Sequence, residues 1–238
     1  MIDISKLPNH APEYDLEKFL EAGCHFGHQI KKWHPKMAEY IYCEKDGVHI
    51  FDLVKTASQL QVAYNYAYNL GKNNKTLIFV GTKRQARDVV KDAAVDCGAM
   101  YITSRWLGGF LTNWNQVFKS IKKMNDIQAG LKSGKYKGYT KFERTKLEKQ
   151  ATRAGRFFEG IKGIKSKPDA IFIIDPFKEK IVVHEAMKEG VELMALVDSN
   201  GDPSNIGIPI PANDDVHGSV ELITNEIAKA YKAGKAAK

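Results

Sequence analysis

Cysteine is scarce in this 238-residue chain: Cys24, Cys43 and Cys97 are far apart, and no CxxC pair exists. That excludes a disulfide framework and a thiolate zinc finger, and makes a reducing, cytoplasmic setting the expectation. Long apolar runs are also missing. The longest are strand-sized, too short for a membrane span. Met1 to Tyr14 lacks a basic start followed by an apolar stretch, so no signal peptide is expected. There is no GxGxxG fingerprint and no Walker loop. No Ser-His-Asp order, nucleophile elbow or pair of catalytic carboxylates stands out, so no catalytic residue is assigned and no enzyme is expected. A helix-turn-helix or zinc module for reading DNA is absent too.

What the chain does have is charge in one place. It carries 36 Lys+Arg against 28 Asp+Glu, a net +8. Residues 119–167 hold 15 of the cations and only Asp126, Glu143, Glu148 and Glu159 among acids, so this segment is +11 and the remainder −3. A mildly acidic globule with one cationic element suits a polyphosphate partner. A solvated lysine-rich helix is the plainer alternative.

Periodicity supplies the architecture. Helical spacing predicts helices over residues 15–22, 56–70, 84–97, 178–189 and from about 213 to 231, with Asp15, Thr56 and Asn213 or Asp214 as caps. Continuously apolar runs at 76–80, 100–103, 170–174, 193–197 and 206–210 read as strands. Apolar strands separated by helices, with no hairpin turns between them, mean a parallel sheet buried on both faces. The expected fold is therefore α/β, an open doubly wound parallel sheet of flavodoxin-like order. Residues 1–106 and 166–238 would form it. Residues 107–165 interrupt it. Trp114, Val117, Ile121 and Met124 make one apolar seam, and Leu147, Ala151, Ala154, Phe158 and Ile161 a second. Together they predict an inserted antiparallel coiled-coil helical hairpin. Thr140 and Glu143 have capping-box spacing at the start of its second helix.

Several constellations are candidates for chemistry. Lys83 and Arg84 follow a strand in Val80-Gly-Thr-Lys-Arg84, where α/β enzymes hold phosphates. A Rossmann-like nucleotide-binding enzyme is thus the alternative function, although the glycine pattern is missing. Lys31, Lys32, Trp33 and Lys36 mix cations with an indole, as do Arg105 and Trp106, with Asn113 close by. Such mixtures suit phosphates and unstacked bases, while the same indoles would equally serve as buried anchors for a loop. Lys119, Lys122, Lys123, Lys146, Lys149 and Arg153 line the hairpin. His28 and the strand-end acids Asp198, Asp202 and Asp214 are candidate ligands for a borderline ion such as zinc. Helix capping and turn formation is the competing role for these acids. No other cofactor is expected.

At these residues the chain resembles a known family. The segments Ala22–Gln29 (AGCHFGHQ), Trp33–Met37 (WHPKM), Phe79–Arg84 (FVGTKR), Arg105–Asn113 (RWLGGFLTN), Pro168–Asp175 (PDAIFIID), Leu196–Asn200 (LVDSN) and Ile210–Asp215 (IPANDD) closely resemble the universal small-subunit ribosomal protein family two, in its bacterial or organellar form. The match runs collinearly over about residues 16–231. The resemblance implies a parallel α/β domain with a coiled-coil hairpin, docked on small-subunit rRNA between head and body. It implies neighbouring small-subunit proteins as partners and, in many bacteria, the large OB-repeat ribosomal protein that holds mRNA. No membrane partner is implied.

Overall fold

A computed structural model describes residues 8–237; the N-terminal reading before Pro8 lies outside the described residues. Five short strands, β4 (Leu77–Val80), β5 (Met100–Ile102), β6 (Ala170–Ile174), β7 (Glu192–Val197) and β8 (Ile208–Pro211), pair in parallel in the order β5-β4-β6-β7-β8. That is the flavodoxin-like order, 2-1-3-4-5, and it reverses direction between β4 and β6. Apart from Glu192 at the start of β7, the strands are apolar because both faces are covered. Leu77, Phe79, Phe172 and Leu196 face α2 (Leu53–Lys72), α3 (Arg87–Cys97) and α7 (His217–Ala236). Ile78, Val80, Ile171 and Val197 face α6 (Lys180–Glu189) and the base of the insertion. At β4, α3 comes so close that a Cβ on Gly81 would lie 2.7 Å from Val90 Cγ2; close packing, rather than a turn, requires this glycine.

Ahead of this domain lie α1 (Leu16–Glu21), capped by Asp15, and three strands: β1 (Phe26–Gln29), β2 (Ile41–Lys45) and β3 (Val48–Phe51). These strands form a separate antiparallel sheet, order β1-β3-β2. This sheet, with its hairpin, was not expected from the sequence. Asp46 and Gly47 join β2 to β3 with φ values of 51° and 80°, the left-handed pair that a two-residue hairpin demands. α2 also starts earlier than expected. Asp52 caps it by accepting from Val54 N, whereas Thr56 is buried one turn inside and donates to Pro211 O at 2.6 Å. α7 begins at His217, and Asn213 shapes the preceding turn by accepting from the backbone of Asp215 and Val216.

The crossover from β5 to β6 carries α4 (Trp114–Ser133) and α5 (Lys141–Phe158), packed side by side as the helical hairpin. Ile121, Met124 and Ile127 of α4 and Ala151 and Phe158 of α5 are buried in the seam. The Thr140–Glu143 capping box is present in both directions. Each helix is about 30 Å long. The return end is tied to the domain by Ser104 Oγ donating to Arg156 O at 2.8 Å, and to α4 by Asn125 Nδ2 donating to Lys162 O at 2.8 Å.

Candidate nucleic-acid interface

The hairpin lysines are exposed because the seam takes only one side of each helix. Lys119 and Lys123 line one flank with Gln150 and Ala154, and Lys146, Lys149 and Arg153 line another with Phe142. Lys122 lies over the Phe118 ring, 4.9 Å from its centre, and remains exposed. Among the described residues, the one ion pair internal to residues 119–167 is Lys162–Glu159 at 2.7 Å. The positive field of the arm is therefore nearly uncompensated. Arg84, Arg105 and Asn113 are exposed around the arm's base and the sheet edge.

The aromatic and cationic segments divide. Lys31, Lys32 and Trp33 are exposed, with the indole tilted over buried His49 at 5.1 Å. Lys36 is exposed but faces Asp202 at 3.4 Å. Trp106 is a correction: it is only 3% exposed, packs against Phe110, and donates from its indole N–H to Glu185, so its ring serves as an anchor and offers no face to a base. Glu185 escaped the sequence reading altogether. This buried carboxylate on α6 also accepts from the backbone N–H of Gly109 (2.6 Å), Leu111 (2.8 Å) and Thr112 (3.3 Å). It thereby gathers the loop that launches the hairpin. A lone acid beside Val182 and Ala186 on an apolar helix face was the available signal.

Lys83 is the second correction. The reversal of strand order sets the ends of β4 and β6 side by side, where open α/β sheets bind ligands. Lys83 turns into that crevice and is only 13% exposed. Its ammonium meets Asp175 at 2.9 Å, Asp214 at 2.7 Å and Asp215 at 2.8 Å. Burial acts to lower its pKa, but the charge of Asp214 and the three carboxylate hydrogen bonds prevail and hold it above the ordinary lysine value. A cation so engaged is not offered to an outside phosphate. The crevice a nucleotide would need is filled by the protein's own ion-pair cluster.

His28 joins this cluster from β1. The strand is held over the sheet edge by His28 N donating to Ser199 Oγ and by Asn213 Nδ2 donating to Phe26 O. His28 Nδ1 lies 2.9 Å from Asp198, and Nε2 lies 3.7 Å from Asp215. The hydrogen bond to Asp198 raises the His28 pKa against the opposing effect of burial. Burial, followed by the like charges of Asp198 and Asp175, pushes the Asp214 carboxyl well above its usual range despite Lys83. His28, Asp198 and Asp214 bring ligand atoms within 4.8 Å of one another. Asp202 stands apart, capping the turn at Pro203–Asn205 and facing His34 and Lys36. His25 instead packs at a tilt against Phe26, ring centres 3.9 Å apart, and burial lowers its pKa.

A flavodoxin-like sheet with its crevice filled by its own ion pairs, carrying a nearly uncompensated cationic helical arm, defines an α/β protein with a basic hairpin insertion. The sequence model of the family "Ribosomal protein S2" matches residues 19–234. The chain belongs to the ribosomal protein S2 family. It is similar to the small ribosomal subunit protein uS2 of Dictyoglomus thermophilum, 43% identical over 220 residues covering 92% of this chain and 89% of the relative. The protein of the same description from Dictyoglomus turgidum matches with the same identity and coverage.

Proposed function

We propose that this chain is a structural constituent of the small ribosomal subunit in the cytoplasm, binding rRNA chiefly through backbone phosphates, and that it catalyses no reaction. The observation that carries this reading is the hairpin, whose +11 segment contains a single internal ion pair among the described residues. Polyphosphate is the counter-charge such an arm fits. Arg84, Arg105 and the Lys31–Lys36 segment would add contacts where the arm meets the domain. Neighbouring small-subunit proteins are the expected protein partners. The large OB-repeat protein that holds mRNA belongs to the same proposal.

The test is rRNA affinity against salt. Log affinity should fall linearly with log salt, and each phosphate contact removed should flatten the slope by about 0.7 to 0.9. Changing Lys122, Lys123, Lys146 and Lys149 together to Gln should lower the slope accordingly. An unchanged slope contradicts the arm's role.

A divalent cation at His28, Asp198 and Asp214 is part of the same proposal, with zinc the best match to mixed imidazole and carboxylate donors. Asp214 Oδ2 is buried with no partner, and among the described residues the ion pairs of the four carboxylates here all go to Lys83 and His28. A bound ion would satisfy that oxygen and pin β1 to the sheet edge.

A further inference from the structure

The outer face of α5 has a feature that charge alone leaves unexplained. Phe142 lies in the first turn of the helix and is 78% exposed. Among the described residues it makes no ring contact, although Tyr136 and Tyr139 in the neighbouring tip pair with each other. Lys146, Lys149 and Arg153 follow it at spacings of four, three and four, so all four lie on one helical stripe. The stripe borders an open groove of about 640 Å³. No acid lines this groove. Glu143 is turned back into the capping box, and Glu148 faces the opposite side with Leu131 and Lys132.

We propose that this stripe is a binding site for single-stranded RNA, in which Phe142 stacks on one unpaired base while Lys146, Lys149 and Arg153 hold the adjoining phosphates. The proposal rests on the reading of the hairpin as an RNA arm and names the RNA element it grips. A phenyl ring has nothing to offer a phosphate, and in a duplex the base faces are already stacked. Only a splayed-out base presents a free face to it. The cations run about 16 Å along the helix from the ring, in line with a backbone leaving a stacked nucleotide. A protein partner for the exposed ring would have to be strongly acidic to lie on the same stripe. RNA supplies both the flat apolar face and the charge.

The experiment measures binding of the full-length protein to small-subunit rRNA over a range of salt, with chemical probing of unpaired bases. Phe142→Ala alters an exposed side chain and leaves the seam intact. It should weaken binding by about 5- to 150-fold, the loss of one base stack, with the salt slope unchanged. One unpaired nucleotide should lose its protection, and Phe142→Trp should restore both affinity and protection. Equal affinity of Phe142→Ala and wild type overturns the inference, as does a loss accompanied by a flatter salt slope. Wild-type affinity for bare rRNA together with dropout from assembled subunits would assign the ring to a protein and also overturn it. Failure of the wild-type protein to bind rRNA, or a slope indifferent to the four-lysine change, would instead remove the arm reading beneath it.

Discussion

Removing Glu185 should loosen the hairpin at its root. The carboxylate collects four N–H donors, from the Trp106 indole and the backbone of Gly109, Leu111 and Thr112. In Glu185→Ala the donors of Gly109 and Thr112, both partly exposed, can turn to water, whereas those of Trp106 and Leu111 stay buried. A buried donor stripped of its partner costs about 1–3 kcal/mol, so the two together cost about 2–6 kcal/mol. For a chain of this size that is a fall of at least about 4 °C in Tm. The loop can limit the loss by opening locally, which makes amide exchange the sharper assay. The amides of Gly109, Leu111 and Thr112 should exchange at least 10-fold faster, while those of β6 and β7 should slow or quicken only with global stability. Glu185→Gln should fall between wild type and Ala, since its one carbonyl oxygen can serve only part of the donor set and its NH2 opposes the rest. Unchanged exchange at residues 109–112 in Glu185→Ala would refute the reasoning.

Lys83→Met should destabilise the fold by about 3–5 kcal/mol, because it strands three carboxylates around an apolar tip. It should leave the rRNA salt slope unchanged; a slope flattened as much as by loss of a hairpin lysine would return Lys83 to the RNA interface. Zinc should remain with native protein through dialysis at close to one per chain and be lost in a His28→Asn, Asp214→Asn double variant; substoichiometric zinc, or zinc indifferent to these changes, removes the ion from the proposal. In chelator-treated protein, the hydrogen bond to Asp198 raises His28, so the folded state binds its proton more tightly than the unfolded one. The stability this adds is full below the unfolded value of about 6.5 and fades as pH rises through the higher folded value. The Tm advantage of wild type over His28→Asn should therefore shrink from about pH 6 to pH 8; a growing advantage would show the sign to be wrong.

The parallel sheet was legible because burial on both faces leaves strands such as Ala170–Ile174 apolar at every position over a length too short for a helix. The hairpin was legible from its seams and from Thr140 and Glu143, whose capping geometry is local. The small antiparallel sheet was missed although Asp46-Gly47 announces its turn, because β1 and β2 are too exposed to show alternation. At the site, local sequence separates what topology joins. Lys83 and Asp214 are 131 positions apart and become a 2.7 Å pair only when β4, β6, β7 and β8 are laid in register. Lys83 therefore read as a free cation. Glu185 is hidden in the same way, and Trp106 read equally as a base platform and as a loop anchor until its partner Glu185 came into view.

The central claim, that the chain is held in the small subunit by an arm on rRNA, is tested most directly by sedimenting a cell lysate through gradients of increasing salt and following the chain by antibody. The account predicts comigration with small subunits at low salt, release as salt rises, and release at lower salt for the protein with Lys122, Lys123, Lys146 and Lys149 changed to Gln. Sedimentation as free protein at low salt, or release at the same salt with and without those four lysines, would contradict it.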